Sequence, residues 1–292
     1  MADHEHLYPR IGDRLVIDHG GQYINGAKIG IDRQRQDDFD LSAHGHDLAG
    51  ATNCESEMIG VLASGGLDSS ILIKCLLDAG QRVKPFYIRS GLCWQAREER
   101  SLNRYLEAVA VPELEPLTVL ELPLSDLYGD HWSITGRNVP GADTPDEAVY
   151  LPGRNALLAI KAAIWCQMHD VGVLAVATLE SNPFDDASAS FFHHLGLAIS
   201  AMRSRPFRLT RPFGRSTKQQ VMELGRNFPL SLTFSCIAPR HGSHCGRCNK
   251  CAERQAAFRL NGGKDPTNYA CVAARIPSIA GKSTKDFQEI NQ

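Results

Sequence analysis

One short stretch restricts the fold of this chain more than any other. An apolar run, Met58-Ile59-Gly60-Val61-Leu62-Ala63, passes directly into Ser64-Gly65-Gly66-Leu67-Asp68-Ser69-Ser70. Apolar residues at helical spacing follow, at Ile71, Leu72, Cys75 and Leu76. A short apolar run without alternation reads as a buried parallel strand. Two adjacent glycines after it let the backbone turn with no Cβ in the way, so that amide N–H groups converge on an anion. The helix that follows adds the positive end of its dipole. Residues Ala63 to Ser70 are therefore a candidate phosphate-binding loop. Ser64, Ser69 and Ser70 offer hydroxyls, and Asp68 is expected to cap the helix or help hold Mg²⁺. A Gly-Gly turn with an Asp cap is the ordinary alternative, but strand, glycines, Asp-Ser pair and helix all fall in register. The loop is not of the Walker type, which needs a Lys after its last Gly. Gly281-Lys282-Ser283 has Ile276 at the required first glycine and no strand before it.

The same alternation continues downstream. Strands are expected over Val83–Ile88, Leu117–Leu122, Val171–Ala177 and Phe207–Leu209. Helices are expected over Trp94–Val109, Ala156–Met168, Ala187–Met202 and, capped by Ser216, over Thr217–Asn227. Strands alternating with helices predict an α/β fold with a doubly wound, mostly parallel, Rossmann-like sheet, its ligand lying at the carboxyl ends of the strands. Before residue 58 the chain is polar. Leu15-Val16-Ile17 and Tyr23-Ile24 flank His19-Gly20-Gly21 as a short hairpin, and Arg33–Glu57 reads as a linker. The expected organisation is an extension over 1–57, an α/β phosphate-binding domain over 58–230 and a cysteine-bearing region with a tail over 231–292.

Four of the nine cysteines crowd into sixteen residues as Cys236, Cys245, Cys248 and Cys251, a C-x8-C-x2-C-x2-C pattern. Two C-x2-C steps sharing a cysteine turn consecutive thiolates toward one centre, and four thiolates suit a closed, structural Zn²⁺ site. An iron–sulfur cluster is the competing occupant, and His241 and His244 beside the knuckle are read as surface or supporting residues. The odd count and the absence of an apolar leader argue against a disulfide framework and for a cytoplasmic protein. No apolar run approaches the ~18 residues that span a bilayer. A net charge of −2 on 292 residues gives no electrostatic footprint for nucleic acid or membrane.

These motifs, in this order, resemble the 7-cyano-7-deazaguanine synthase (QueC) family of the adenine-nucleotide α-hydrolase-like superfamily over about residues 58–266. Ser64-Gly65-Gly66-Leu67-Asp68-Ser69 is similar to the family loop SGGxDS, and Leu151-Pro152-Gly153-Arg154-Asn155 to its V-P-G-R-N block. Ser216-Thr217-Lys218 resembles its L-S-K helix start. Leu232 to Cys236 resembles L-T-W-S-C, and His244 to Arg254 its H-C-G-x-C-x-x-C-x-x-R block. The resemblance implies adenylation of a deazapurine carboxylate by ATP, followed by ammonia attack to an amide and a second activation that dehydrates it to the nitrile. It also implies roles near nucleotide or substrate for Asp68, Ser69, Arg154 and Lys218, and a homodimer. Position 2 is Ala, not the Cys of an N-terminal-nucleophile glutaminase, so free ammonia is the expected nitrogen donor.

Two segments depart from the family pattern. After the second strand stands Arg89-Ser90-Gly91-Leu92-Cys93-Trp94 instead of D-Y-G-Q-R-H. After the fourth stands Glu180 to Ser188 instead of D-Y-S-G-Y-P-D-C-R. Glu180, Asp185, Asp186 and Asn155 are the candidate substrate-pocket residues. The changes leave open an enzyme that stops at the amide or couples a deazaguanine to a macromolecule. A tRNA-modifying relative and a non-catalytic zinc module are less consistent with the charge and the intact loop.

Overall fold

A computed structural model of the chain describes residues 57–203 and 205–270, together with two short strands nearer the N-terminus. Those strands, β1 (Tyr23–Ile24) and β2 (Ala27–Lys28), pair antiparallel with Ile24 opposite Ala27, in a unit of their own, Met1–Asp37. Tyr23–Ile24 thus pairs with Ala27–Lys28; Leu15–Ile17, the expected partner, lies outside the described residues, as do the expected linker up to residue 56 and the Gly281 segment. The overlooked signal is Asn25-Gly26, the dipeptide that most favours a two-residue hairpin connection.

In the second unit, β3 (Ile59–Leu62) leads to α1 (Leu67–Asp78), β4 (Val83–Arg89), α2 (Gln95–Ala108) and β5 (Thr118–Glu121). Two one-turn helices follow, α3 (Ser125–Tyr128) and α4 (Trp132–Thr135), where the sequence showed only a loop. Then come α5 (Arg154–Met168), β6 (Val173–Ala175), α6 (Ala189–Arg203), β7 (Arg208–Thr210), α7 (Lys218–Leu224) and α8 (Asn249–Leu260). The five strands of this unit form an all-parallel sheet in the order β5-β4-β3-β6-β7.

Alternation along the strands sorts the core into two layers. Val61, Val83, Tyr87, Val173 and Ala175 pack with Ile71, Leu72, Leu102, Tyr105 and Val221 from α1, α2 and α7. Phe86, Ile88 and Leu174 pack with Ala162, Ala163 and Cys166 of α5 and Ile199 of α6. Helices therefore cover both faces, and the sheet is doubly wound. Burial of each large apolar side chain contributes about 1.5–3 kcal/mol to this arrangement.

Pro85 stands inside a central strand, where it cannot donate to a ladder. Val83 exchanges backbone bonds with Glu113 and Glu115 on the β5 side, and Pro85, two residues on, faces that same side. The β4–β5 register begins one residue later, at Phe86 opposite Thr118. The missing donor thus falls in a gap of the ladder. The helix after β7 is capped by Thr217 and not by the expected Ser216. Thr217 Oγ1 accepts from Gln220 N and Gln220 Oε1 from Thr217 N, a complete capping box.

Candidate active site and cysteine cluster

Strand order reverses between β3 and β6, and a parallel sheet leaves a crevice at the carboxyl ends of its strands at such a point. A cavity of about 340 Å³ opens there. The glycine loop forms one wall. Gly65 has φ +73°, and a Cβ there would stand 3.1 Å from Leu102 Cβ and 3.2 Å from the Glu98 carbonyl oxygen, so both conformation and space exclude a side chain. Ser64 Oγ accepts from Gly66 N at 3.3 Å and lies 3.3 Å from Ser69 Oγ, while Ser64 N donates to Ser69 Oγ. These contacts hold the loop open toward the cavity at the N-terminus of α1, whose first-turn N–H groups have no partner within the helix.

Of the loop residues, Ala63, Ser64, Gly66, Leu67, Asp68 and Ser69 line the cavity, with Gly65 behind them. Ser70 is turned inward: its side chain is fully buried and its hydroxyl has no partner among the described residues. Asp68 is not the helix cap, a position held by Gly66 without side-chain assistance. Both of its carboxylate oxygens instead accept from Lys218 Nζ at 2.8 Å. Lys218 also stands 3.7 Å from Glu253, which accepts from Lys250 at 2.6 Å. Burial opposes the charge on Lys218, but Asp68 and Glu253 outweigh it and hold the ammonium above its usual range.

The opposite wall is the start of α5. Arg154 lines the cavity, and its Nε is buried without a hydrogen-bond partner. An orphaned guanidinium donor in a cavity wall is suited to an anionic ligand. Asn155 also faces the cavity but is tied to Asp186, whose carboxylate accepts from Asn155 Nδ2 at 3.0 Å and from Asn155 N at 3.4 Å. Asp186 is buried on the cavity wall, whereas Glu180 and Asp185 are exposed and do not line it. Among the four expected pocket residues, the fold brings Asn155 and Asp186 to the site and leaves Glu180 and Asp185 outside.

Several lining residues escaped the sequence reading. Trp94 and Trp132 stack with ring centroids 5.8 Å apart. Glu98 is buried on the cavity wall, and Tyr87 donates its hydroxyl to Glu98 Oε2 at 2.8 Å. Burial pushes the Glu98 carboxyl up to about 7, against the opposing pull of Arg154 and Tyr87. One signal was available: Trp94, just before α2, and Glu98, Leu102 and Tyr105 along it fall on one stripe, and a carboxylate is seldom buried in such a stripe.

The cysteine cluster sits behind the same cavity. Phe234 N donates to the Gly65 carbonyl at 2.7 Å, and Phe234, Ser235 and Ile237, around the first cysteine, line the cavity. The sulfurs of Cys236, Cys245, Cys248 and Cys251 all lie within 4.8 Å of one another and the residues are buried. Cys236–Cys248 and Cys245–Cys251 are each separated by 3.9 Å. A tetrahedron with metal–sulfur bonds of about 2.3 Å has edges of roughly 3.8 Å, so the four thiols can hold one metal ion. Backbone N–H groups of Ala238, Cys245, Arg247 and Cys248 point at the sulfurs of Cys236 and Cys245, which offsets thiolate charge. His244 is not among the ligands. It is buried, accepts from Ser235 N at 3.1 Å, and burial holds its imidazole down to about 3, so it is neutral.

Residues 58–262 match the family described as "Queuosine biosynthesis protein QueC". A 7-cyano-7-deazaguanine synthase of Methanopyrus kandleri is 33% identical over 226 residues, covering 72% of this chain and 97% of that protein. One from Anaeromyxobacter dehalogenans is 29% identical, over 76% of this chain and all of its own length. In the relative from Saccharolobus solfataricus, 27% identical over 72% of this chain, the match spans 47% of the protein's length.

Proposed function

The chain belongs to the QueC family of queuosine biosynthesis proteins, and from that membership we propose that it is an ATP-dependent carbon–nitrogen ligase converting 7-carboxy-7-deazaguanine and ammonia to 7-cyano-7-deazaguanine. The observation that carries this reading is the Gly65–Gly66 turn opening into a cavity that it shares with Arg154 and Lys218. A cavity of this size at a sheet switch point fits a small-molecule ligand.

In this reading the backbone N–H groups at the start of α1, with Ser64 and Ser69, hold the β- and γ-phosphates of ATP. Arg154 faces the α-phosphate, and Lys218 shifts from Asp68 toward the departing pyrophosphate. The substrate carboxylate attacks the α-phosphorus, pyrophosphate leaves, and ammonia displaces AMP from the acyl adenylate to give the amide. A second ATP activates the amide oxygen, and loss of AMP with the remaining nitrogen proton gives the nitrile. The protein acts chiefly by positioning reactants and matching developing charge. Among the described residues Mg²⁺ has no cage of its own, since the cysteine cluster is the one group of three or more potential ligands. Mg²⁺ would be held chiefly by the triphosphate, with Asp68 as the loop carboxylate in reach, and would neutralise phosphate charge there. Cys236, Cys245, Cys248 and Cys251 would hold Zn²⁺, which would close a structural knuckle behind the loop.

The test is pyrophosphate release. ATP and 7-carboxy-7-deazaguanine together should release it, and mass spectrometry with ammonium present should show the nitrile. Absence of pyrophosphate release with this acid overturns the proposal; accumulation of the amide alone limits the reaction to its first half.

A further inference from the structure

Four carboxylates line the cavity, and three are already committed. Asp68 gives both oxygens to Lys218. Glu253 lies between Lys218 and Lys250, and these cations hold its carboxyl below the usual range although burial opposes them. Asp186 gives both oxygens to Asn155. Glu98 is bound neither to a lysine nor to an amide: the donors to its carboxylate are the neutral Tyr87 hydroxyl and Trp94 indole. No histidine lines the cavity among the described residues.

Position reinforces this difference. The Glu98 carbonyl oxygen lies 3.2 Å from where a Cβ on Gly65 would stand, so the first turn of α2 rests on the glycine loop. The side chain enters the cavity beside Trp94, and Arg154 faces it from α5.

We propose that Glu98 is the general base of nitrogen transfer, taking the proton that the attacking ammonia must lose. This rests on the ligase reading above. As nitrogen bonds to the acyl carbon, the carbon–oxygen bond to phosphate breaks and AMP leaves with the electron pair. The proton released from nitrogen passes to a Glu98 carboxylate oxygen and then to solvent. In the dehydrating half, the same oxygen takes the last N–H proton as AMP leaves and the nitrile forms. A base of this kind works best when its pKa lies near the operating pH, and burial brings Glu98 to about 7. The groups acting on it from other elements are Arg154 of α5 and Tyr87 of β4, with Trp94 on its own helix. Arg97 and Glu99 flank it in sequence, the glycine loop brings Asp68, which is paired with Lys218, and the Leu230–Ser235 segment brings no charged side chain.

The experiment separates the two half-reactions on full-length protein. ATP–pyrophosphate exchange driven by 7-carboxy-7-deazaguanine, without ammonium, reports adenylation. Ammonium-dependent amide and nitrile formation, expressed per free ammonia, reports nitrogen transfer. Glu98→Gln should keep exchange within about threefold of wild type and lose nitrogen transfer by roughly 100-fold or more. The wild-type rate should rise with pH through about 7, and this inflection should vanish in the variant. Hydroxylamine, whose attacking nitrogen gives up its proton more readily, should partly restore transfer. Tyr87→Phe removes a donor to the charged carboxylate and should move the inflection to higher pH, which serves as the test if Glu98→Gln does not fold. Transfer at the wild-type rate in Glu98→Gln, loss of exchange along with transfer, or an unmoved inflection in Tyr87→Phe overturns the base role. Absence of exchange in the wild type would instead count against the ligase reading.

Discussion

Lys218 and Asp68 stand 150 positions apart in the chain and meet at 2.8 Å beside the glycine loop, so the loop's one acidic side chain is neutralised before any ligand arrives. In the proposed reaction, nucleotide phosphates compete with Asp68 for the lysine. Asp68→Ala and Ser69→Ala should each lower ATP-dependent turnover by ~100-fold or more while the circular dichroism spectrum stays native; unchanged turnover in both would remove the loop from the mechanism. Removing Asp68 also strips a largely buried ammonium of its partner, at a cost of about 1–3 kcal/mol. Glu98 makes a separate prediction about stability. Its folded carboxyl is raised to about 7 from an ordinary value of 4.5, so the folded state binds the proton more tightly than the unfolded one. The stability this confers is fully present below the ordinary value and is lost as pH rises through about 7. Denaturant titrations at pH 5 and pH 8 should show Glu98→Gln gaining on wild type by a few kcal/mol at the higher pH, and an equal difference at both values would contradict the assigned burial cost.

At the scale of elements, the first turn of α1 depends on Gly65 more than on any side chain. Gly65→Ala would force a Cβ at φ +73° against Leu102 and the Glu98 carbonyl, costing about 1–3 kcal/mol in strain and displacing the N–H groups aimed at the cavity. Calorimetric titration should show weakened ATP binding, and wild-type affinity would mean that the loop does not grip the phosphates. Helix α7 depends on its box: Thr217→Ala should cost about 1 kcal/mol, read from denaturant midpoints, whereas Ser216→Ala should cost far less. The periodic signals found β3, α1, β4, α2, α5 and α6 because their apolar residues recur at the spacing of a buried face. They missed α3, α4 and α8 for different reasons. The first two are single turns too short for any period, and α8 buries Cys251 and Arg254 where an apolar stripe was sought.

For the whole molecule, the cysteine cluster and the glycine loop form one mechanical unit. The segment ending in Cys236 bonds to Gly65 through Phe234 and also lines the cavity. Arg254, three residues after Cys251, is almost fully buried and donates to Thr233, Ser235, Thr267 and the Leu230 carbonyl, fastening α8 to that segment. Cys248→Ser should therefore lose bound metal by elemental analysis and also weaken ATP binding, although no cysteine need touch the nucleotide; intact ATP affinity in the metal-free variant would uncouple the two. Among the described residues no helix is long and apolar enough to cross a membrane. The sequence by itself determined the βα alternation, the glycine turn and the four-thiol set, because each is a local pattern of spacing and conformational preference. Tertiary structure alone decided that Glu180 and Asp185 stay in solvent while Glu98 enters the cavity, and that Lys218 answers Asp68. Those outcomes depend on which surfaces the sheet brings together across long stretches of chain, and local spacing carries no record of that.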